Sequence, residues 1–319
     1  MKKAKIIFLA FITLISTLFL FNQSVSAAKK VEDGTVMKKI KQSKELVVGT
    51  SADYPPLEFT ISVGGNTKYV GVDIELAKDI AKDLHAKLVI KNMSFDSLLV
   101  ALETGKVDMV ISAMTPNPER KKSVDFSKIY YKPSGEYFLI NKRDQAKYKK
   151  IKDFAGQTVG AQTGSIQYQL IQSQMKKSKA KGLGKINNLV LALKSGKMSG
   201  VVMEELTAKA YAKNDNSLMA VRSDLREEQA GNAVAVAKGQ PGLIRAVNKT
   251  INRVEKKNLI NKEYLPEAAK YMKTAQKSNT MAKYAPYFVK GIGYTNCNYY
   301  LFSFNRYYLR DASCTYAFI

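Results

Sequence analysis

Residues 45–50 read Glu-Leu-Val-Val-Gly-Thr, and with Gly71–Leu84, Lys87–Ile90, Phe95–Leu102 and Val107–Ile111 they decide the fold. The opening run is short, apolar and bounded by polar residues, which is the form of a buried strand. In Gly71–Leu84 the apolar residues Val72, Ile74, Leu76, Ala77, Ile80, Ala81 and Leu84 recur close to a helical period. Lys87–Ile90 predicts a second strand, Phe95–Leu102 a short helix stopped at Gly105, and Val107–Ile111 a third strand. Strand, helix, strand, helix, strand is the order of a parallel sheet covered by helices on both faces.

A second series lies downstream. Thr158–Ala161 predicts a strand, Ser165–Met175 a helix, Asn188–Lys194 a helix stopped at Gly196, Gly200–Met203 a strand and Leu206–Lys213 a helix. Two such series predict two α/β lobes, and ligands of open α/β sheets sit beyond the carboxyl ends of the strands. A cleft between the lobes would gather Ser51, Asp53 and Tyr54, then Ser112, Ala113, Thr115 and Arg120, then Gln162, Thr163, Gly164 and Ser165, and finally Glu204. Phe95 opens a helix nearby. An α-amino acid needs such partners: a guanidinium fork and N–H groups at a helix start for its carboxylate, and an acid for its ammonium. Taken singly, each has an ordinary reading. Arg120 precedes Lys121 and Lys122, as in a solvated basic turn. Glu204 would suit the start of the next helix through its dipole, and Tyr54 and Phe95 would suit a core.

Composition narrows the classes. The chain has 319 residues, with 51 Lys+Arg against 27 Asp+Glu and a net charge of +24. The lysines are spread along the chain, not gathered with aromatics into one arm, which argues against nucleic acid; an anionic cell wall or membrane surface fits better. Residues 1–27 have the layout of a cleaved signal peptide: Lys2, Lys3 and Lys5, an apolar run from Ile6 to Phe21, then Val25-Ser26-Ala27. That run is shorter than the ~20 residues of a spanning helix. Cys297 and Cys314 are the only cysteines and His85 the only histidine, so no disulfide, cofactor or metal site is expected in the body. The protein is therefore expected outside the cell, associated with its surface.

Several stretches together resemble the extracellular solute-binding proteins of ABC transporters for polar amino acids. They are VVGTSADYPPLEF (47–59), YVGVDIEL (69–76), SFDSLLVALETGKV (94–107), DMVISAMTPNPERKKSVDFS (108–127), VGAQTGS (159–165) and LALKSGKMSGVVMEE (191–205). The resemblance covers residues 38–273 and implies a two-lobed, type II periplasmic-binding-protein-like fold. Two crossover hinge strands, near Tyr131–Ser134 and Glu227–Gly231, would join lobe 1 (38–131 plus 231–273) to lobe 2 (135–226). It also implies roles. Arg120 would grip the ligand carboxylate, supported by Ser112, Thr115, Thr163 and the N–H groups around Gly164 and Ser165. Glu204 would hold the ammonium, and Tyr54 and Phe95 would sandwich the ligand. The chain departs from the family at Ala113, where glycine or serine is frequent, and at Glu204 and Ser199, where aspartate is usual. Ser51 stands where many binders of cationic amino acids carry an acid. The neutral set Ser51, Thr115 and Gln162 therefore predicts an uncharged polar ligand, glutamine first, with Asp53 the one acid placed to serve a cation.

The segment Tyr284–Thr295 resembles the junction of Gram-positive chains in which a binding domain is fused to a permease. From Asn296 the composition turns to Tyr, Asn and Cys, so the tail 278–319 reads as a frameshift or truncation before that permease. The expected function is delivery of a polar amino acid to an ABC importer. The alternatives are an enzyme of the same fold, acting on cyclic acids or cell-wall glycan, and a basic surface adhesin. The site lacks a nucleophile–base pair, which disfavours the enzyme.

Overall fold

The computed structural model describes residues 34–226 and 231–278. The signal-peptide expectation, the tail beyond Ser278 and most of the second crossover lie outside these residues.

Helix α1 (Thr35–Ser43) leads into β1 (Glu45–Thr50), β2 (Asp53–Tyr54), β3 (Glu58–Val63) and β4 (Asn66–Val70). Helix α2 (Val72–Asp83) and β5 (Lys87–Asn92) come next, then a 3₁₀ turn at Phe95–Ser97, α3 (Leu98–Glu103) and β6 (Met109–Val110). After the one-turn helix α4 (Arg120–Ser123) come β7 (Val124–Tyr131) and β8 (Glu136–Asn141). The second series is β9 (Thr158–Gln162), α5 (Ile166–Gln174), β10 (Lys179–Leu183), α6 (Ile186–Lys194), β11 (Gly200–Glu204), α7 (Glu205–Asn214) and β12 (Leu218–Arg222). Strand β13 (Asn232–Ala237), α8 (Pro241–Lys257) and α9 (Leu265–Ser278) complete the described chain.

The strands form two five-stranded sheets, ordered β5-β1-β6-β13-β7 and β10-β9-β11-β8-β12, with β2-β3-β4 as a small third sheet. In the first, β1 pairs in parallel with β5 and β6. In the second, β9 pairs in parallel with β10 and β11. The chain leaves the first sheet after β7, enters the second at β8, and returns from β12 to β13. This is the two-lobed α/β architecture expected.

Local chemistry accounts for the elements. Apolar Leu46 and Val48 are buried in β1, while helix α2 buries Val72, Ile74, Leu76, Ala77, Ile80 and Ala81, the predicted stripe. The helix ends at Leu84, and His85, at φ 52, turns the chain in exposed surface. The small sheet is an addition to the sequence reading. Gly64 and Gly65, at φ 58 and 85, supply the two positive φ angles of a tight hairpin turn between β3 and β4. Gly71 starts α2 at φ 122, where a Cβ would stand 2.2 Å from Leu57 O, so only glycine lets the helix start and the segment before β3 meet. The third predicted strand, Val107–Ile111, contracts to Met109–Val110, and the helix predicted from Asn188 starts two residues earlier, at Ile186.

Candidate ligand-binding cleft

The carboxyl ends of β1 and β6 face those of β9 and β11, and the segments beyond them meet across a closed cleft. Within it lies a cavity of about 20 Å³, lined by Tyr54, Glu58, Phe95, Ser112, Ala113, Gln162, Ser165, Gln167, Ile186, Val202 and Glu204.

Arg120 is positioned by its own short helix, whose first N–H donates to Asn117 Oδ1 at 2.7 Å. Its buried guanidinium donates from Nη1 to Thr115 O and from Nη2 to Gly164 O of the other lobe at 2.8 Å. It also lies over the Phe95 ring, 5.4 Å from the centroid. The structure thus brings together Arg120, Thr115, Gly164 and Phe95. Of the backbone N–H groups in this stretch, Thr163 N–H donates to Leu183 O and Ser165 N–H to Gln162 O. Ser165 is the N-cap of α5, its hydroxyl accepting from Tyr168 N–H at 3.1 Å.

Glu204 ends β11 and stands directly opposite Glu136 of β8. Two buried acids facing each other repel, and each has a polar neighbour that moderates this. Asn232 Nδ2 donates to Glu204 Oε2 at 3.3 Å, and Gln167 Nε2 to Glu136 Oε1 at 2.9 Å. The Glu204 backbone N–H donates to Tyr54 Oη at 2.8 Å. Tyr54 is thus tied to the opposite lobe through its hydroxyl. Burial, then the charges of Glu204 and Glu136, push its phenol well above the usual range.

Ser112 faces inward between acids. Its Oγ donates to Glu58 Oε1 at 2.7 Å and accepts from Ser51 N–H at 3.0 Å. Glu58 is buried, and its Oε2 has no hydrogen-bond partner among the described residues. Its carboxyl is raised well above the usual range by burial and then by Asp73. Asp73 is itself raised to about 6 by burial, against donation from Ala113 N–H and Tyr130 Oη. Ala113 sits at φ 44, in the left-handed region, which explains the glycine frequent at this position in the family.

The remaining expected residues form the opposite flank. Ser51 Oγ donates to Asp53 Oδ1 and accepts from Gln162 Nε2 and Lys185 Nζ, each at 3.2 Å. Asp53 Oδ2 accepts from Ile186 N–H at 2.7 Å. Neither Ser51, Asp53, Thr163 nor Arg120 lines the cavity itself. Sequence reasoning missed Glu58, Gln167, Ile186 and Lys185. Glu58 was within reach, since it lies in the stretch 47–59 five residues past Asp53. Among the described residues no group of acids, histidines and cysteines could hold a metal ion, and no helix is long and apolar enough to cross a membrane.

The profile of the bacterial extracellular solute-binding proteins, family 3, matches residues 46–267. An arginine-binding extracellular protein of Bacillus subtilis is 38% identical over 215 residues, covering 66% of this chain and 81% of its own. A glutamine-binding ABC transporter protein of the same organism is 26% identical over 259 residues, covering 79% and 92%. The crystal structure of an amino acid ABC transporter substrate-binding protein from Streptococcus pneumoniae, bound to L-arginine, superimposes with a TM-score of 0.71 at 34% identity, covering 74% of this chain and 98% of that one. With the two lobes, the cleft and its arginine–glutamate frame in place, the chain belongs to the family 3 bacterial extracellular solute-binding proteins: it is an amino-acid-binding component of an ABC transporter, not an enzyme.

Proposed function

We propose that the protein is the exported receptor of an ABC importer for a cationic amino acid, arginine foremost. The observation that carries this is Glu58, a buried acid lining the cavity beside a second buried acid, Asp73, with no basic side chain bonded to either among the described residues. A buried carboxylate in that condition is costly and is relieved by a cation. The sign of the whole cleft agrees. Glu58 and Glu204 line the cavity and Glu136 stands opposite Glu204, all three buried, while Arg120 is the buried cation among the described residues. An arginine ligand would give its carboxylate to Arg120, its ammonium to Glu204 and its side chain to the Glu58 region. Relatives bound to or named for arginine support the same reading.

A neutral amide ligand, glutamine, is the second reading. It is favoured by the Ser51–Gln162 hydrogen bond, a neutral pair suited to an amide, and by the glutamine-binding relative. Calorimetric titration with arginine, lysine, histidine, glutamine and glutamate separates the two. Arginine binding more tightly than glutamine is expected; the reverse order would establish the second reading.

In this proposal residues 1–27 direct export, the segments 131–134 and 227–231 act as hinges between lobe 1 (38–131 plus 231–273) and lobe 2 (135–226), and the net charge of +24 favours contact with an anionic cell wall or membrane surface.

A further inference from the structure

Helix α6 has an unusual start. Its N-cap residue is Lys185, which makes no side-chain cap of its own. The first N–H groups of a helix need acceptors. Here they come from the other lobe: Asp53 Oδ2 accepts Ile186 N–H at 2.7 Å, and Asn187 N–H also donates to Asp53. The carboxylate further lies at the positive end of the helix dipole. Tyr211 of α7 fastens the same point, its hydroxyl donating to Asp53 O and Asn187 Oδ1, both at 2.9 Å.

Lys185 makes the reciprocal crossing. Its half-buried side chain carries the ammonium to Met93 O at 2.7 Å, Asn92 Oδ1 at 3.1 Å and Ser51 Oγ at 3.2 Å, all in the first lobe. Asn92 is held for this by Ala52 N–H, which donates to its Oδ1 at 3.0 Å. An ammonium has three N–H donors, and three acceptors surround this one. Lys185 is also the charge nearest in effect to Asp53, opposing the upward push of burial on that carboxyl.

We infer that Asp53 and Lys185 form an interlobe latch, in which a carboxylate of the first lobe caps helix α6 of the second while an ammonium of the second clamps the first. The pair governs how long the cleft stays shut on any ligand and does not read the ligand's side chain. Asp53 is already matched by two backbone N–H groups, Ser51 and Lys185, and it stands outside the cavity lining. The inference rests on the reading of the cleft as one that opens to admit an amino acid; it does not depend on which amino acid enters.

The test uses the full chain with Asp53→Ala, Asp53→Asn, Lys185→Met and the Asp53→Ala/Lys185→Met double variant. Affinity and dissociation rate are measured for arginine, glutamine and any other common amino acid that the unaltered protein binds, and ligand-free unfolding is recorded to confirm folding. Each single variant to alanine or methionine is expected to speed dissociation by about 5- to 30-fold, the range expected from losing a helix cap and a charged contact. The factor is expected to be the same for every ligand bound. Asp53→Asn, which keeps an acceptor, is expected to lose less. The double variant is expected to fall short of the product of the singles, because the two residues share Ser51. Loss of arginine binding with a neutral ligand unaffected would overturn the inference and make Asp53 a reader of the side chain. Unchanged dissociation rates in Asp53→Asn and Lys185→Met would overturn it as well. Failure of arginine to bind the unaltered protein would instead refute the proposed ligand, and the latch would be judged on the amino acid that does bind.

Discussion

Tyr54→Phe isolates one bond of the closed cleft. The ring is buried, and phenylalanine fills its place with one oxygen fewer. That oxygen accepts the backbone N–H of Glu204 across the cleft at 2.8 Å. In the open state water replaces it, so the open form is indifferent to the change. In the closed state the N–H is buried and left without its acceptor, at a cost of about 1–3 kcal/mol. Every ligand that requires closure then binds roughly 5- to 150-fold more weakly, and most of the loss falls on the dissociation rate. Isothermal titration gives the affinity and stopped-flow displacement the rate. Ligand-free unfolding temperature should hardly move if the ligand-free protein is mainly open. An affinity within about twofold of the unaltered protein would refute the reasoning, since it would mean that the Tyr54–Glu204 bond is absent from the ligand-bound state.

Arg120→Ala is expected to abolish amino-acid binding while leaving the fold intact, since a desolvated ligand carboxylate would lose its fork; unchanged calorimetric affinity would remove Arg120 from that role. Small-angle scattering is expected to give a smaller radius of gyration with saturating ligand than without, and equal radii would count against hinges at the two crossings. Asp73, raised from 3.8 to about 6 in the fold, holds a proton that the unfolded chain releases, so its contribution to stability is present below about pH 4 and is lost as pH rises through about 6. Glu58, raised in the same direction partly by Asp73, deepens this loss, and Glu58→Gln should flatten it; identical falls in unfolding temperature between about pH 4.5 and 7 for both proteins would show that the pair does not titrate together.

Much of the fold is legible in the sequence where one local rule decides the outcome. Strand β1 has the same ends in the sequence pattern and in the structure, because Leu46, Val47 and Val48 leave no competing period. The apolar stripe of helix α2 marks each of its ends within a residue. Arg120 is identifiable because a motif carries it. The hairpin β3–β4 escapes the apolar pattern although Val63-Gly64-Gly65-Asn66 is a turn signal. Strand β10 is hidden because Lys179 and Lys181 alternate with Ala180 and Gly182, an edge-strand pattern with little apolar content. Lys185 is hidden for a different reason. Among so many lysines its residue type says nothing, and its three acceptors come from segments about 90 to 135 residues away that meet it only in the fold.

The contacts between the lobes suggest why a small ligand can command such a structure. Polar contacts join the two at Arg120 and Gly164, Tyr54 and Glu204, Ser51 and Gln162, Asn232 and Glu204, and the Asp53–Lys185 group with Tyr211. Apolar packing links the lobes as well, since one buried cluster includes Tyr54 and Leu57 of the first with Ile186 and Leu189 of the second, but opening the cleft returns the polar partners to water. A hydrogen bond exchanged in this way is worth only ~0.5–1.5 kcal/mol net, and closure must also offset the entropy of fixing one lobe against the other. The polar share of the interlobe surface therefore adds little net free energy on closing, and the molecule is less firmly shut than a wholly apolar surface would make it. A ligand shifts that balance by no more than its differential affinity for the two states. In the binding mode proposed above, an amino acid reaching Arg120 and Glu204, which lie on opposite lobes, would obtain much of its binding energy only when the cleft is closed, and that difference would turn capture into closure.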